Sequence, residues 1–470
     1  MNVKKIELQP TKENILNTFL SDSIGRNKDI GYFISLLETL DEPNSIAINN
    51  QWGSGKTFFV RQVEMILGVY NEHYHSQFNK DEIKQIKEVF DKTRKIINVD
   101  EIKNLYLPIY YDAWKYDNED DPVLSIVYEI IATLENKYDL ESNSLDYKEV
   151  LKGVFNLLGI SCISHFIESV KSNEDFKKII ESRDLKKHID DFLNKIPEER
   201  ADKIIIFIDE LERCKPTYAI KLLERIKHYF NNDRIIFVFS TNLEELQNSV
   251  KSVYGEKFNA YRYLDRFFDI KTPLSEPDMN KYLEGINFGG SSLTFDVACN
   301  KVAKKYNFQL RDISKFSRYI KMTTYNTAHN REHMSFPDEY IYGFCLQCLT
   351  PLVIGLFIHD IDLYNGFICG NNITPLLEMF EDDFALFFTD KLLGNEEEYD
   401  EHSMITKENK LIELYDALFN TTYNSKMYSK TIGQTIVDKN AKEYLLNITN
   451  LLSREAQKQR NAEAETNGET

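Results

Sequence analysis

A glycine-rich segment near the amino terminus carries residue types that bind phosphate. It reads Asn50-Gln51-Trp52-Gly53-Ser54-Gly55-Lys56-Thr57 and follows a short apolar run, Ser45 to Asn49. Glycines allow the backbone to turn successive N–H groups toward one anion, at the positive end of the helix that follows. Lys56 would reach the β- and γ-phosphates of a nucleoside triphosphate, and the Thr57 hydroxyl would bind Mg²⁺. The segment therefore predicts a phosphate-binding loop.

Asn50 stands where this pattern has its first glycine. Asparagine is the best non-glycine residue in a left-handed backbone conformation, so we expect Asn50 to take that conformation with little disturbance. If Asn50 instead distorts the loop, the chain would bind nucleotide with little turnover. The sequence leaves both outcomes open.

Two carboxylates follow a second apolar run. Asp209 and Glu210 come directly after Ile204 to Ile208, which has the pattern of a strand buried on both faces. A carboxylate at such a strand end can hold Mg²⁺, and a second can orient and deprotonate an attacking water. We assign Asp209 to the metal and Glu210 to the water. The alternative for Glu210 is a cap on the next helix.

A third apolar run, Ile235 to Phe239, ends in polar residues. Asn242 could sense the γ-phosphate or position the water there, with Ser240 and Thr241 as competing candidates. A plain turn at the strand end is the alternative for all three.

These segments require a parallel sheet to position them. A helical pattern that begins near Pro216 separates Ile204–Ile208 from Ile235–Phe239, which predicts a βαβ unit with a right-handed crossover. Leu105 to Tyr111 is a further predicted strand, and Pro108 within it requires an edge or a strand start. Asp269 to Thr272 is the last predicted strand.

The rest of the chain has helical patterns. We predict an α/β core over residues 1–275 with a helical insertion at about 120–200. A helical lid follows over 276–330, and then an all-α carboxyl-terminal region over 331–453. Residues 454–470 are polar and have no apolar face to bury, so a disordered tail is expected there.

Composition excludes several classes of protein. The 470 residues include 57 Lys and Arg against 75 Asp and Glu, a formal net charge of −18, which argues against a coat on nucleic acid. With 18 Gly and 11 Pro the chain is neither collagenous nor rich in turns. Six scattered cysteines and a polar amino terminus favour a reducing cytoplasm. The apolar run Ile341–Ile358 is interrupted by Gln347 and Pro351, so we interpret it as a buried helix and predict no integral membrane span.

Three motifs together resemble the KAP family of P-loop NTPases. Trp52 to Thr57 matches the family's W-G-S-G-K-T loop, Asp112 to Tyr116 resembles its F-N-A-W-x-Y motif, and Asp209 to Pro216 resembles its D-D-L-D-R-C-x-P motif. Leu223 to Lys227 is similar to its L-E-x-I-K helix, and the resemblance spans about residues 20–325. The departures are Asn50 for Gly, Asp112 for Asn, and Glu for Asp at 210 and 212. The last two preserve charge, so hydrolysis remains the expectation.

The resemblance also implies roles for three arginines. Arg266, or Arg262 one turn earlier, would be an arginine finger that reaches the nucleotide of a neighbouring subunit. A surface salt bridge is the alternative. Arg311 resembles an arginine of the family's R-x-x-K-R-F segment and would be a second sensor of nucleotide on the lid, or else pack the lid. The residues then expected to hold nucleotide are Trp52, Gly53, Ser54, Gly55, Lys56, Thr57 and Arg311.

The resemblance implies an Mg²⁺-dependent ATPase that drives a conformational switch or assembly. The resemblance favours ATP over GTP, and the lack of an N-K-x-D motif where guanine recognition would need it agrees with ATP. The family implies a homo-oligomer in bacterial antiphage defence, with protein partners at the carboxyl-terminal helices. The alternatives are a nucleotide-gated scaffold with little turnover and a nucleic-acid-remodelling ATPase, which the acidic charge disfavours. Cys345, Cys348 and His359 lack further well-spaced ligands and are expected to be core residues rather than a metal site.

Overall fold

Five parallel strands form the sheet that carries the candidate site in this computed structural model. The sheet has the order β2-β3-β4-β1-β5. All five strands predicted from the sequence are confirmed: β1 (Asn44–Asn49), β2 (Tyr106–Asp112), β3 (Lys203–Asp209), β4 (Ile235–Thr241) and β5 (Ile270–Pro273). All pairs are parallel, so the carboxyl ends of the strands meet at one edge.

The structure describes residues 9–40, 42–119, 121–137, 201–230, 232–278, 281–282, 293–329, 339–381, 401–419, 429–438, 441 and 445. Residues 9–282 form one compact unit and residues 283–470 belong to a second. Most of the predicted insertion and all of the predicted disordered tail lie outside the described residues. The lid boundaries stay a prediction.

Apolar β-branched and aromatic side chains explain the central strands. Ile204, Ile206 and Ile208 of β3 pack in one core with Phe237 and Phe239 of β4. The alternate residues of β3 are buried as well, so both faces of the sheet are covered, as the continuous apolar runs predict. β2 lies at an edge of the sheet, which accommodates a proline that cannot donate a ladder hydrogen bond.

The helices of the first unit surround this sheet. The predicted helical stretch from Thr11 to Leu40 is two helices, separated by a turn that includes Gly25 with a φ of 76°. An Asn79–Glu82 capping box fixes the start of the fourth helix. The helices are α1 (Lys12–Leu20), α2 (Asn27–Glu38), α3 (Lys56–Tyr70), α4 (Lys80–Ile97), α5 (Pro122–Lys137), α6 (Pro216–Tyr229), α7 (Leu243–Tyr254) and α8 (Ala260–Leu264).

Where the structure describes it, the second unit is helical, as predicted, except for one hairpin. Its helices are α9 (Leu293–Lys305), α10 (Leu310–His329), α11 (Glu339–Phe344), α12 (Thr350–His359), α13 (Ile361–Ile368), α14 (Thr374–Met379) and α15 (Glu401–Phe419). β6 (Ser429–Ile432) and β7 (Thr435–Asp438) pair antiparallel. The expectation of an all-α region is wrong there, because Gly433 has a φ of 57° and forms a two-residue turn with Gln434.

The apolar run of the second unit is a buried helix. A π-helical turn, Cys345–Leu349, joins α11 to α12. The segment Tyr340–His359 is 20 residues long with a mean hydropathy of 2.0, and 67% of its apolar window is buried within the protein. Length and composition alone would also let it cross a membrane. Its burial agrees with the interpretation as a core helix.

Candidate functional site

The loop between β1 and α3 has the backbone of a phosphate cradle. Gly53 and Gly55 have φ angles of 79° and 88°, a region that residues with a Cβ rarely adopt. Gly55 immediately precedes α3, whose first residues are Lys56 and Thr57. The loop therefore ends at the positive end of a helix, where backbone N–H groups favour an anion.

Asn50 does not substitute for a left-handed glycine. Its φ is not positive, so the expected left-handed conformation is wrong. Its Nδ2 donates to the carbonyl of Leu274 at 2.9 Å, and its Oδ1 accepts the N–H of Gln51 at 2.8 Å. Its own N–H donates to the carbonyl of Thr241 at 3.3 Å. Asn50 is thus an anchor that ties the loop to the ends of β4 and β5.

Lys56 is folded against the loop that precedes it. Its Nζ donates to the carbonyls of Asn50 at 2.7 Å and Gln51 at 3.1 Å. Only 7% of the residue is exposed. Burial lowers the pKa of Lys56, and the nearby Glu212 and Asp209 oppose that shift. The ammonium group therefore lies beside the cradle. To bind phosphate there, it would have to exchange these carbonyl oxygens for phosphate oxygens.

Asp209 is oriented from two sides at the end of β3. Its Oδ2 accepts a hydrogen bond from the Tyr110 hydroxyl at 2.8 Å, and its Oδ1 accepts the N–H of Glu210 at 3.1 Å. The guanidinium of Arg61 stacks on the Tyr110 ring, 3.2 Å from its centroid. β4 lies between β3 and β1. Asp209 and the loop therefore flank the end of β4.

The oxygen atoms beside the loop suit Mg²⁺, which prefers oxygen ligands. They include the Thr57 hydroxyl, the Asp209 carboxylate and the buried Ser240 hydroxyl, which has no hydrogen-bond partner in the structure. Ser240 is the register partner of Asp209. Among the described residues no three His, Cys, Asp or Glu side chains converge on a metal position. A site with one carboxylate agrees with Mg²⁺ bound mainly by phosphate and water.

Glu210 has a left-handed backbone, with a φ of 60°. This conformation is unfavourable for a residue with a side chain and is typical of functional sites. The Oε2 of Glu210 lies 2.5 Å from Nε of Arg213. Burial and the adjacent Asp209 raise the pKa of Glu210 to about 7, although Arg213 opposes the shift. A carboxylate with this pKa is suited to accept a proton from water near neutral pH.

Glu212 is a contact of the loop that sequence reasoning missed. Its Oε1 accepts the indole N–H of Trp52 at 3.1 Å and lies 3.8 Å from Nζ of Lys56. Its Oε2 accepts the hydroxyl of Thr241 at 3.0 Å. The motif placed Glu212 near the site, but nothing in the spacing indicated which way its side chain points. Glu212 thus joins three segments of the site.

The polar end of β4 is divided among different tasks. Asn242 caps α7, with its Oδ1 accepting the N–H groups of Glu244 at 3.1 Å and Glu245 at 3.4 Å. Asn242 is therefore a helix cap rather than part of a plain turn. A sensor role for Asn242 stays a prediction, and it would have to use the amide nitrogen.

The motif after β2 forms a short 3₁₀ turn. Asp112 Oδ1 accepts the N–H groups of Trp114 at 3.1 Å and Lys115 at 3.3 Å. The Trp114 ring is 53% exposed and lies 5.7 Å from the guanidinium of Arg213. The motif and the segment after Asp209 are therefore neighbours at the same edge of the sheet.

Arg266 lies at the opposite edge of the sheet from the loop of its own chain. It precedes β5, where Asp269 N–H donates to the carbonyl of Ser45 at the start of β1, at 2.8 Å. The phosphate loop begins five residues after Ser45, which is about 16 Å along β1 at about 3.3 Å per residue. Arg262 and Arg266 are both exposed. This placement argues against a role in the site of the same chain, and a role in a neighbouring subunit stays a prediction.

Arg311 is an exposed residue near the start of α10, in the second unit. Its role as a second sensor stays a prediction.

Arg26 is a second buried residue that the sequence did not single out. It is 3% exposed, and its guanidinium donates to the carbonyls of Ser54 at 2.6 Å and Ser275. Burial lowers the pKa of Arg26 to about 10, although Asp29 opposes the shift. Arg26 therefore holds the backbone of the phosphate loop at Ser54, and no sequence motif around Arg26 predicts this contact.

A cavity of about 590 Å³ lies beside this site but is separate from it. It lies between α7, α8 and β5, and Asn49 of β1 also lines it. None of the loop residues 50–57 and none of the residues 209–216 lines it. The cavity is therefore not the place where the loop would hold phosphate.

Cys345 and Cys348 are buried in the second unit. Burial raises the pKa of both thiols well above the usual range. A thiol kept neutral in this way is a poor metal ligand. Their burial agrees with the prediction that they are core residues, whereas for His359 the prediction is wrong, because His359 is exposed at the end of α12.

Comparisons with known proteins identify one family. The model of the KAP family P-loop domain matches residues 30–285, more than half of the 470 residues. Among curated proteins, none matches the sequence. The solved structures that match include that of PCH-2 from C. elegans, with 11% identity and a TM-score of 0.20, covering 88% of this chain and 72% of that chain.

Proposed function

The chain belongs to the KAP family of P-loop NTPases, and from this premise we propose that it hydrolyses ATP with Mg²⁺ to drive a conformational switch or assembly. The family and the fold support nucleotide binding at the loop between β1 and α3. The observation that carries the proposal is the placement of a cradle with two left-handed glycines and of an oriented Asp209 on the two sides of the β4 end. Phosphate ligands and a metal ligand are thereby provided at one edge.

Four side chains share three tasks in the proposed reaction. Lys56 leaves the loop carbonyls and neutralises charge on the phosphates. Thr57 and Asp209 would hold Mg²⁺, which supplies further charge neutralisation when bound. Glu210 accepts the proton of the attacking water, a contribution of about 10²- to 10⁴-fold to rate.

The stated alternative, a scaffold with little turnover, depended on a distorted loop. Asn50 instead makes three hydrogen bonds that hold the loop in place. Distortion at this residue therefore gives the scaffold no support, and we retain hydrolysis as the proposal.

The cellular setting is proposed from the family resemblance. We propose a cytoplasmic homo-oligomer in a bacterial antiphage defence system, with protein partners contacting the carboxyl-terminal helices. The second sensor role of Arg311 and the choice of ATP over GTP belong to the same proposal.

Phosphate release from the purified protein tests the enzyme. We expect Mg²⁺-dependent release from ATP that falls at least about 100-fold in Lys56→Ala and in Glu210→Gln. Lys84→Ala is the matched control, because Lys84 is exposed on α4. ATP binding without release in any assembly state would contradict the proposal and support the scaffold. Stimulation by DNA or RNA that fades with salt would instead support a nucleic-acid-remodelling ATPase.

A further inference from the structure

Glu212 is a buried carboxylate, and its side chain contacts Trp52, Thr241 and Lys56, which all belong to parts of the proposed nucleotide site. Its side chain is 1% exposed. Trp52 belongs to the phosphate loop, Lys56 begins the helix after it, and Thr241 ends the strand between the loop and Asp209. A buried carboxylate is costly unless it is paired and hydrogen-bonded. The three partners supply both requirements.

The pairing of Glu212 with Lys56 is incomplete in this state. Nζ of Lys56 lies 3.8 Å from Oε1, beyond hydrogen-bond length, and donates to the carbonyls of Asn50 and Gln51 instead. The shorter contacts of Glu212 are those to Trp52 at 3.1 Å and Thr241 at 3.0 Å. The carboxylate therefore has hydrogen bonds to two neutral donors and a longer electrostatic contact with one cation.

Phosphate would compete with Glu212 for that cation. When Lys56 moves to the phosphates, Glu212 loses part of its counter-charge while it remains buried. Its hydrogen bonds from Trp52 and Thr241, which are charge-assisted because the acceptor is a carboxylate, must then stabilise the buried charge. Thr241 precedes Asn242, the cap of α7. A change at Glu212 can thus reach both the loop and the start of α7 through single hydrogen bonds.

We propose that Glu212 is a positioning residue that couples phosphate occupancy at Lys56 to Trp52 and to the Thr241 end of β4. The inference rests on the proposed nucleotide binding and assigns Glu212 no contact with the reacting atoms. Glu210 and Glu212 therefore have different tasks, although they are two residues apart. Glu210 acts on the attacking water, and Glu212 couples phosphate occupancy to Trp52 and Thr241.

Trp52 fluorescence can measure this coupling. The chain has two tryptophans, so Trp114→Phe leaves Trp52 as the only one. Adenylyl imidodiphosphate with Mg²⁺, added to saturation, is expected to change the Trp52 emission. Thr241→Val removes a hydroxyl that does not contact Trp52, and Glu212→Gln removes the charge while keeping an acceptor for the indole. In the Trp114→Phe background, each should reduce the emission change to about half or less.

Equilibrium dialysis with the same analogue separates coupling from binding, and amplitudes are compared at saturation. Thr93→Val is the matched control, because Thr93 is also buried, on α4, and its hydroxyl bonds to the carbonyl of Val89. An unchanged response in Thr241→Val overturns the proposal, as does the absence of any response in Trp114→Phe. Thr241→Val keeps the test decisive if Glu212→Gln fails to fold.

Phosphate release is measured separately on the same proteins. Hydrolysis together with a Trp52 response that Thr241→Val leaves unchanged would overturn the role of Glu212 and leave the proposed function standing. A Trp52 response that the substitutions reduce, in a protein that releases no phosphate, would do the reverse.

Discussion

The hydroxyl of Tyr110 donates a hydrogen bond of 2.8 Å to Oδ2 of Asp209. Tyr110 belongs to the edge strand β2, and Asp209 is the last residue of its neighbour β3. The bond leaves Oδ2 with one lone pair committed and fixes the plane of the carboxylate. Hydrogen bonds that orient a metal-binding carboxylate in this way commonly tune metal affinity.

Tyr110→Phe should therefore weaken Mg²⁺ binding without removing the metal ligand. We expect the Mg²⁺ concentration for half-maximal phosphate release to rise by about 10- to 100-fold. The maximal rate at saturating Mg²⁺ should fall much less. A titration of phosphate release with Mg²⁺ checks this expectation.

Tyr70→Phe is the control for the loss of a tyrosine hydroxyl. Tyr70 bonds to Asp91 at 2.9 Å, on helices α3 and α4 rather than at the strand ends. An equal Mg²⁺ dependence in Tyr110→Phe and in the native protein would show that the bond has no part in metal binding.

The sequence predicted the strands and the loop because their signals are local. Apolar runs define β3 and β4, and glycine spacing defines the cradle. The contacts of Tyr110 and Glu212 depend on strand order and side-chain direction, which one sequence does not contain. For the same reason the sequence did not indicate that β4 lies between the loop and Asp209, or that Arg266 starts at the opposite edge. The hairpin at Gly433 did have a local signal, a two-residue turn with glycine.

Asn50→Gly restores the family's glycine and should nevertheless harm the protein. The position needs no left-handed conformation, and the substitution removes the bonds to Leu274 and Gln51. We expect a loss of about 1–2 kcal/mol in the free energy of unfolding and weaker ATP binding. Urea unfolding and equilibrium dialysis measure the two effects. Asn44→Ala is the control, because the side chain of Asn44 donates to the nearby carbonyl of Glu42 at the other end of β1. Tighter ATP binding in Asn50→Gly would refute the anchor.

Glu64 should make stability depend on acid. Burial would raise the pKa of Glu64, but Arg61 at 2.8 Å and Lys137 at 3.0 Å outweigh it and lower the pKa below its ordinary value of 4.5. Because the folded pKa is the lower one, this stability is present above about pH 4.5 and is lost as the pH falls through the folded pKa. Glu64→Gln should lose about 2 kcal/mol at pH 7 and show a shallower acid slope.

Urea unfolding at a series of pH values from 3 to 7 measures that slope, roughly across the range where a carboxylate titrates. Glu88→Gln is the control, because Glu88 is 65% exposed in its pair with Lys84. Such exposed pairs contribute little to stability. A Glu64→Gln protein with the native acid slope would exclude Glu64 as its source.

Mixing two inactive variants tests whether Arg266 acts in a neighbouring subunit. Lys56→Ala keeps Arg266 but lacks a working loop, and Arg266→Ala keeps the loop but lacks the arginine. Each variant alone should lose at least about 100-fold in phosphate release, since arginine fingers contribute about 10³- to 10⁵-fold in related reactions. In an equal mixture, about half of the loops are intact and about half of their neighbours carry Arg266, so about a quarter of the native activity should return.

Arg262→Ala replaces Arg266→Ala in a parallel mixture to decide between the two arginines, and Lys257→Ala is the exposed control on the same segment. Full activity of Arg266→Ala by itself, or of a strict monomer, would remove this role.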